Sequence, residues 1–210
     1  MQELQKVIVG KDDVIEQTLV ENPEPGEWLV MIRGTAVPDG PQPFSLAITP
    51  NEACYVPLAH KKNGGSEGLF DAGLEPHQIA EKDALETIKP LLEDPTVLKV
   101  AQNAKYDIAV MSRYGVRVAP TDDTMLMSYL LGETPRHALD VLTEHYFAYK
   151  MTDFKELVGL TKAAKNFSEV PLADALDYAA ADADFTGRLY RHLYPLLQSS
   201  PLHKVYETID

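Results

Sequence analysis

Partway along this chain the spacing of its apolar residues changes, and that change limits the folds open to it. Ahead of a Gly-, Lys- and Asn-rich stretch at 60–73, which reads as a loop, they come in short runs of strand character. The runs are 6–9, 28–32, 44–49 and 53–58, the last two facing each other as a hairpin around Pro50-Asn51. Between the first two, Asp12-Asp13 can cap a helix over 14–20, and Asn22-Pro-Glu-Pro-Gly26 makes a turn. Beyond 73 the repeat lengthens to that of a helix. Helices are predicted over 80–92, 107–114, 124–131, 139–147, 153–157 and 173–197, with one strand at 98–101. Strands early and helices late predict an α/β domain with a mixed sheet packed by helices, not a regular βαβ alternation. No repeat, low-complexity tract or linker divides residues 1–210, so a single domain is expected.

Composition narrows function by exclusion. A formal charge of −13 argues against tight, sequence-independent binding of nucleic acid, which needs clustered Lys and Arg. It leaves room for an enzyme that holds a short single strand in a cleft. The one cysteine, Cys54, excludes an internal disulfide and a cysteine-built zinc site. It fits a reducing, cytoplasmic setting and reads as a buried strand residue. No apolar run approaches the roughly 20 residues of a membrane helix, and no basic leader precedes an apolar stretch. Neither a membrane partner nor a signal peptide is expected.

Two segments stand out from this background. The first, Lys99-Val-Ala-Gln-Asn-Ala-Lys-Tyr-Asp107, carries Asp107 at the start of a helix just after a strand. The second, Tyr178-Ala-Ala-Ala-Asp-Ala-Asp184, lies within the longest helical pattern. Tyr178 and Asp182 are one turn apart and share a helix face, and the small residues between them permit close approach of another backbone or a substrate. Each has a plainer explanation. Asp107 can cap its helix, and Asp182 can lie on a solvated face or in an ion pair. Tyr178 can be a core aromatic with its hydroxyl at the rim, while Gln102 and Asn103 can end a strand. Asp184 does not share the face of Asp182 and pairs with Arg188 at i, i+4. Asp122-Asp123 reads as a helix N-terminus. The six histidines, His60, His77, His137, His145 and His203 among them, show no H-x-x-x-H spacing. Lys61-Lys62, Lys162 and Lys165 read as solvated positions.

Taken together, the segments carry a family resemblance. Asn103-Ala-Lys-Tyr-Asp107 resembles the second motif, and Tyr178-x-x-x-Asp182 the third, of the DEDD-type 3′–5′ proofreading exonucleases. The tyrosine form is the one found in family A DNA polymerases of the polymerase I type. Ala53-Cys-Tyr-Val-Pro-Leu-Ala-His60, Leu91-Leu-Glu-Asp94, Asp122-Asp-Thr-Met-Leu-Met-Ser-Tyr129 and Phe154-Lys-Glu156 look like landmarks of the same domain, in the same order. The stretch 203–210 looks like the point where a polymerase half begins. The resemblance implies an RNase H-like fold, a mixed central sheet with helices on both sides. It implies two divalent cations, Mg2+ or Mn2+, held by four carboxylates and acting on the 3′ end of single-stranded DNA. By position, Asp107 and Asp182 correspond to metal ligands and Tyr178 to the residue that orients the attacking water. Asn103 and Tyr178 correspond to residues beside the bound strand. The expected partner within a longer chain is an adjoining polymerase domain.

One element of the pattern is missing. The family's first motif, Asp-x-Glu, ends the first core strand, and here that strand should be the one around 28–35. The motif positions then fall on Ile32 and Gly34, and none of the 32 acidic residues forms an Asp-x-Glu anywhere in the chain. Glu27 and Asp39 flank the strand without the needed spacing. Two carboxylates facing two divalent ions leave most of the positive charge uncompensated, so weak ion binding and loss of excision are expected. What remains is structural support of the polymerase and weak contact with single strands. Two alternatives stand beside it: an active exonuclease using a substitute ligand such as Asp39, and a single-strand binding module.

Overall fold

In the computed structural model, residues 5–8, 29–34, 43–62, 73–76, 78–159 and 166–209 are described, the first two segments by backbone alone. The helix and turn expected over 14–26, His77, Lys162, Lys165, Glu27 and Asp39 lie outside the described residues. The strands are β1 (Gln5–Ile8), β2 (Leu29–Gly34), β3 (Phe44–Ala47), β4 (Glu52–Val56), β5 (Leu98–Ala101) and β6 (Thr121–Asp123). The helices are α1 (Glu81–Glu93), α2 (Ala104–Arg113), α3 (Thr124–Leu131), α4 (Leu139–Phe147), α5 (Phe154–Val158), α6 (Leu172–Gln198) and α7 (His203–Ile209).

The strands form one sheet in the order β1-β4-β3-β2-β5-β6. β3 runs antiparallel to both β2 and β4, whereas β1–β4, β2–β5 and β5–β6 are parallel. This is the mixed sheet expected. The hairpin of β3 and β4 is buried on both faces, and alternation sorts its side chains. Phe44, Leu46, Cys54 and Val56 face Ala84, Ile88 and Leu92 of α1 and Met111 of α2. Ala47 and Ala53 face the other way, with Val100 of β5, against Ala180 and Ala183 of α6. Helices therefore cover both sides. Alanines on both surfaces bring α6 close to the sheet, so the small residues of the 178–184 segment meet another backbone.

Polar contacts fasten the hairpin tip to α6. The Asp184 carboxylate accepts the Asn51 N–H (2.8 Å) and the Arg188 Nε–H (2.7 Å). Arg188 also donates to Asn51 Oδ1 (2.6 Å), and Arg191 donates to the Ile48 carbonyl (2.8 Å). The expected Asp184–Arg188 pair is thus present, with a third partner across the sheet. Asn51 holds a left-handed backbone, φ 71°, which asparagine tolerates in a turn. Cys54 is buried in β4 as expected, and burial pushes its thiol up to about 11. Lys61 pairs with Glu169 at 2.9 Å.

Several strand ends shift by one or two residues, α7 was not expected, and two differences bear on the site. α2 begins at Ala104, three residues before Asp107, and Asp122-Asp123 belongs to an edge strand as well as preceding a helix. A three-residue strand is too short to announce itself by alternation. It exists because β5 offers it an edge.

Lys99 is a fully buried lysine in β5, a rare situation. Its Nζ donates to the carbonyls of Asp94 (2.7 Å) and Ala119 (2.5 Å), tying the turn before β5 to the approach to β6. Burial lowers its pKa from 10.5 to about 8. Between those values the unfolded chain binds more protons than the folded one, so the stability contributed by Lys99 rises as pH rises. Lys99→Met removes the donor from two partly buried carbonyls and is expected to cost about 1–3 kcal/mol at neutral pH. Urea melts of both proteins between pH 8 and 10 should show the variant's deficit widening; a constant deficit would contradict a desolvated amine.

Candidate functional site

The framework of the site is the pair of crossings from β5 into α2 and from β6 into α3. After Ala101 the chain turns through Gln102 and Asn103, and Asn103 takes a left-handed backbone (φ 69°, ψ 50°). The Asn103 and Ala104 amides then point to the neighbouring strand end. Asp123 Oδ1 accepts the Asn103 N–H (2.9 Å) and Oδ2 the Ala104 N–H (2.9 Å). Oδ1 also accepts the Met125 N–H (2.8 Å), capping α3. A single carboxylate thereby closes the starts of two helices, where unsatisfied N–H groups and helix dipoles favour negative charge.

Further contacts hold that carboxylate in place. The Tyr206 hydroxyl, brought in by α7, donates to Asp122 Oδ1 (3.0 Å) and accepts the Asp123 N–H (2.9 Å). Burial, then the Asp122 charge, raises the phenol of nearby Tyr190 above its usual range. Gln102 Oε1 accepts from Thr124 Oγ1 (2.5 Å), and its Nε2 donates to the His137 carbonyl (2.7 Å). Gln102 and Asn103 thus do more than end a strand: they bind the two crossings to each other.

Asp107 occupies the first turn of α2 and is only 4% exposed. It is not the cap, contrary to the plainer expectation, because Asp123 already holds the amides at that helix end. Asp182 is 2% exposed inside α6, so the solvated face expected for it does not exist. Thr186 Oγ1 donates to the Asp182 carbonyl at 2.7 Å. Tyr178 is half-buried against Phe154 and Phe167, with ring centroids 5.8 and 6.0 Å away. Ile32 and Gly34 lie near the end of β2, paired with Leu46 and Phe44 of β3. Both α2 and α6 pack against β2, so the strand with the missing motif neighbours the helices that carry the two aspartates.

The donor set can be tested against a two-cation centre. Each divalent ion of this kind takes about six or more oxygen ligands. Among the described residues, no three His, Cys, Asp or Glu side chains converge to hold a metal ion. The described residues do not fit such a centre. Sequence reasoning missed the Asp123 clamp and Tyr206. Asp123 was legible as the cap of α3, but its grip on amides 20 residues upstream depends on the β5–β6 pairing.

Comparison with known proteins agrees with this architecture. A family model described as 3′-5′ exonuclease, of the A-type DNA polymerases, matches residues 43–198. The DNA polymerase I of Rhizobium leguminosarum is 43% identical over 177 residues, covering 80% of this chain and 17% of that protein. That of Pseudomonas aeruginosa is 38% identical over 161 residues, covering 75% of this chain and 16% of that protein. The chain therefore spans about a sixth of the length of these relatives. Among solved structures, Brucella melitensis NrnC bound to pGG aligns with TM-score 0.65 at 17% identity, covering 99% of this chain and 88% of that one. The same protein with bound Mg2+ aligns at 0.60 and 17% identity, covering 97% and 85%. At that identity the likeness establishes the fold alone.

Two substitutions test the framework. Asp123→Ala removes the shared acceptor of three amides and is expected to cost about 2–3 kcal/mol. Amide exchange should accelerate at Asn103, Ala104 and Met125 well beyond the global change; uniform acceleration would contradict a local clamp. Asn103→Ala forces a Cβ-bearing residue without asparagine's tolerance into the left-handed region, at about 1 kcal/mol, whereas Asn103→Gly should cost much less in the same melts.

Proposed function

This chain belongs to the 3′-5′ exonuclease family of the A-type DNA polymerases, and we propose that it is a proofreading domain that no longer excises nucleotides. The observation that carries this reading is the joint presence of the second and third motifs and absence of the first. Two-metal hydrolysis requires ligands on both cations, so that the attacking and leaving oxygens are both stabilised. Asp107 and Asp182 stand at two of the four ligand positions. At the other two, Ile32 offers a hydrocarbon and Gly34 no side chain at all. Mg2+ or Mn2+ is bound weakly, and no hydrolytic step runs through it.

The burial of both aspartates supports a structural legacy for the old site. Asn103 and Tyr178 border it and give the domain weak contact with the 3′ end of single-stranded DNA. Its main role is to support an adjoining polymerase domain, consistent with relatives that are several times longer. Among the described residues no helix is long and apolar enough to cross a bilayer.

Digestion of a 3′-labelled single-stranded DNA in excess Mn2+ tests the proposal, comparing this chain with Asp182→Ala. The expected outcome is background release from both. Metal-dependent release from the parent that disappears in the variant would overturn it and mean that another ligand stands in for the first motif. Asp39→Ala would then identify or eliminate that residue as the substitute.

A further inference from the structure

We propose that the ring pair Tyr129–His137 is a stacking platform for an unpaired nucleobase. Tyr129 is 59% exposed, more than any other large apolar side chain described. An aromatic ring left so open forgoes the burial that rings of this size normally gain. It is nevertheless not loose. One face rests on the His137 ring, with centroids 3.8 Å apart and planes tilted by 36°. His137 is itself fixed, Nδ1 lying 2.8 Å from Ser128 Oγ and its carbonyl accepting the Gln102 Nε2–H at 2.7 Å. The underside is rigid and the outer face is open to solvent.

Its place in the fold selects the ligand. Gln102 directly follows β5, and α3 starts directly after β6, so the platform stands by the carboxyl ends of two parallel strands. Crevices outside such strand ends are where open α/β sheets take their ligands. With a charge of −13 the chain has little general attraction for phosphates, so a single strand held here gains its affinity from stacking. Stacking on an aromatic tolerates any base, because each has a π-face. The proposal rests on the reading that the domain still meets single-stranded DNA, and adds a residue pair outside the second and third motifs.

The test is fluorescence anisotropy with a labelled eight-residue oligothymidylate, in EDTA at about 50 mM salt, a concentration low enough for phosphate contacts to contribute. Tyr129→Ala is expected to weaken binding about 5- to 100-fold, and Tyr129→Phe less than about twofold. The salt slope should be unchanged in both, since no phosphate contact is lost. Equal affinity of parent and Tyr129→Ala overturns the platform, including the case in which the ring serves a protein partner. An oligonucleotide that does not bind the parent overturns it as well. Digestion of the same oligonucleotide in Mn2+ instead overturns the loss of excision, and the platform is then judged on the Tyr129 variants alone.

Discussion

The carboxylate of Asp123 is the contact on which the arrangement of the site depends. Parallel strands leave a row of chain crossings at one edge of a sheet, and each crossing exposes backbone amides that need an acceptor. Here one side chain meets the amides of Asn103, Ala104 and Met125. That sets the direction of α2 relative to α3 and, with it, the depth at which Asp107 sits. The cost of burying this acid is offset by hydrogen bonds to charge-complementary helix ends. The Tyr206 hydroxyl from α7 holds the strand that carries it, accepting the Asp123 N–H and donating to Asp122.

The sheet was legible in the sequence where its strands obey simple alternation. Residues 44–49 and 53–58 declare a hairpin because each strand has an apolar set for either face, and α6 declares itself by length and by its run of alanines. Two features escaped for a common reason. β6 is three residues long, and its strand state comes from pairing with β5. The start of α2 is likewise set from outside, by an acceptor that follows it by 20 residues. Local pattern reports local preference, and both of these are decided across the sheet.

The candidate site was legible only as residue types at fixed spacings. Asp107 and Asp182 invite a surface reading one at a time, as a cap and as a solvated acid, and the structure buries both. Tyr178 is nearer to its plainer reading, half-embedded against Phe154 and Phe167. The absence of Asp-x-Glu needed no structure. Its placement did, since only the pairing of β2 with β3 and β5 fixes where Ile32 and Gly34 fall relative to the two helices.

The double duty of the 102–104 crossing bears on how such domains change over evolutionary time. Selection on chemistry acts on a ligand only while the reaction matters to the organism. Selection on folding acts for as long as the chain must be made. Asn103 and Asp123 serve the fold directly, through a left-handed turn and a shared acceptor. Ile32 and Gly34 sit in a strand whose pairing with β3 is made by backbone groups that every residue supplies. The crossing at 102–104 is therefore costlier to alter than the strand end at 32–34.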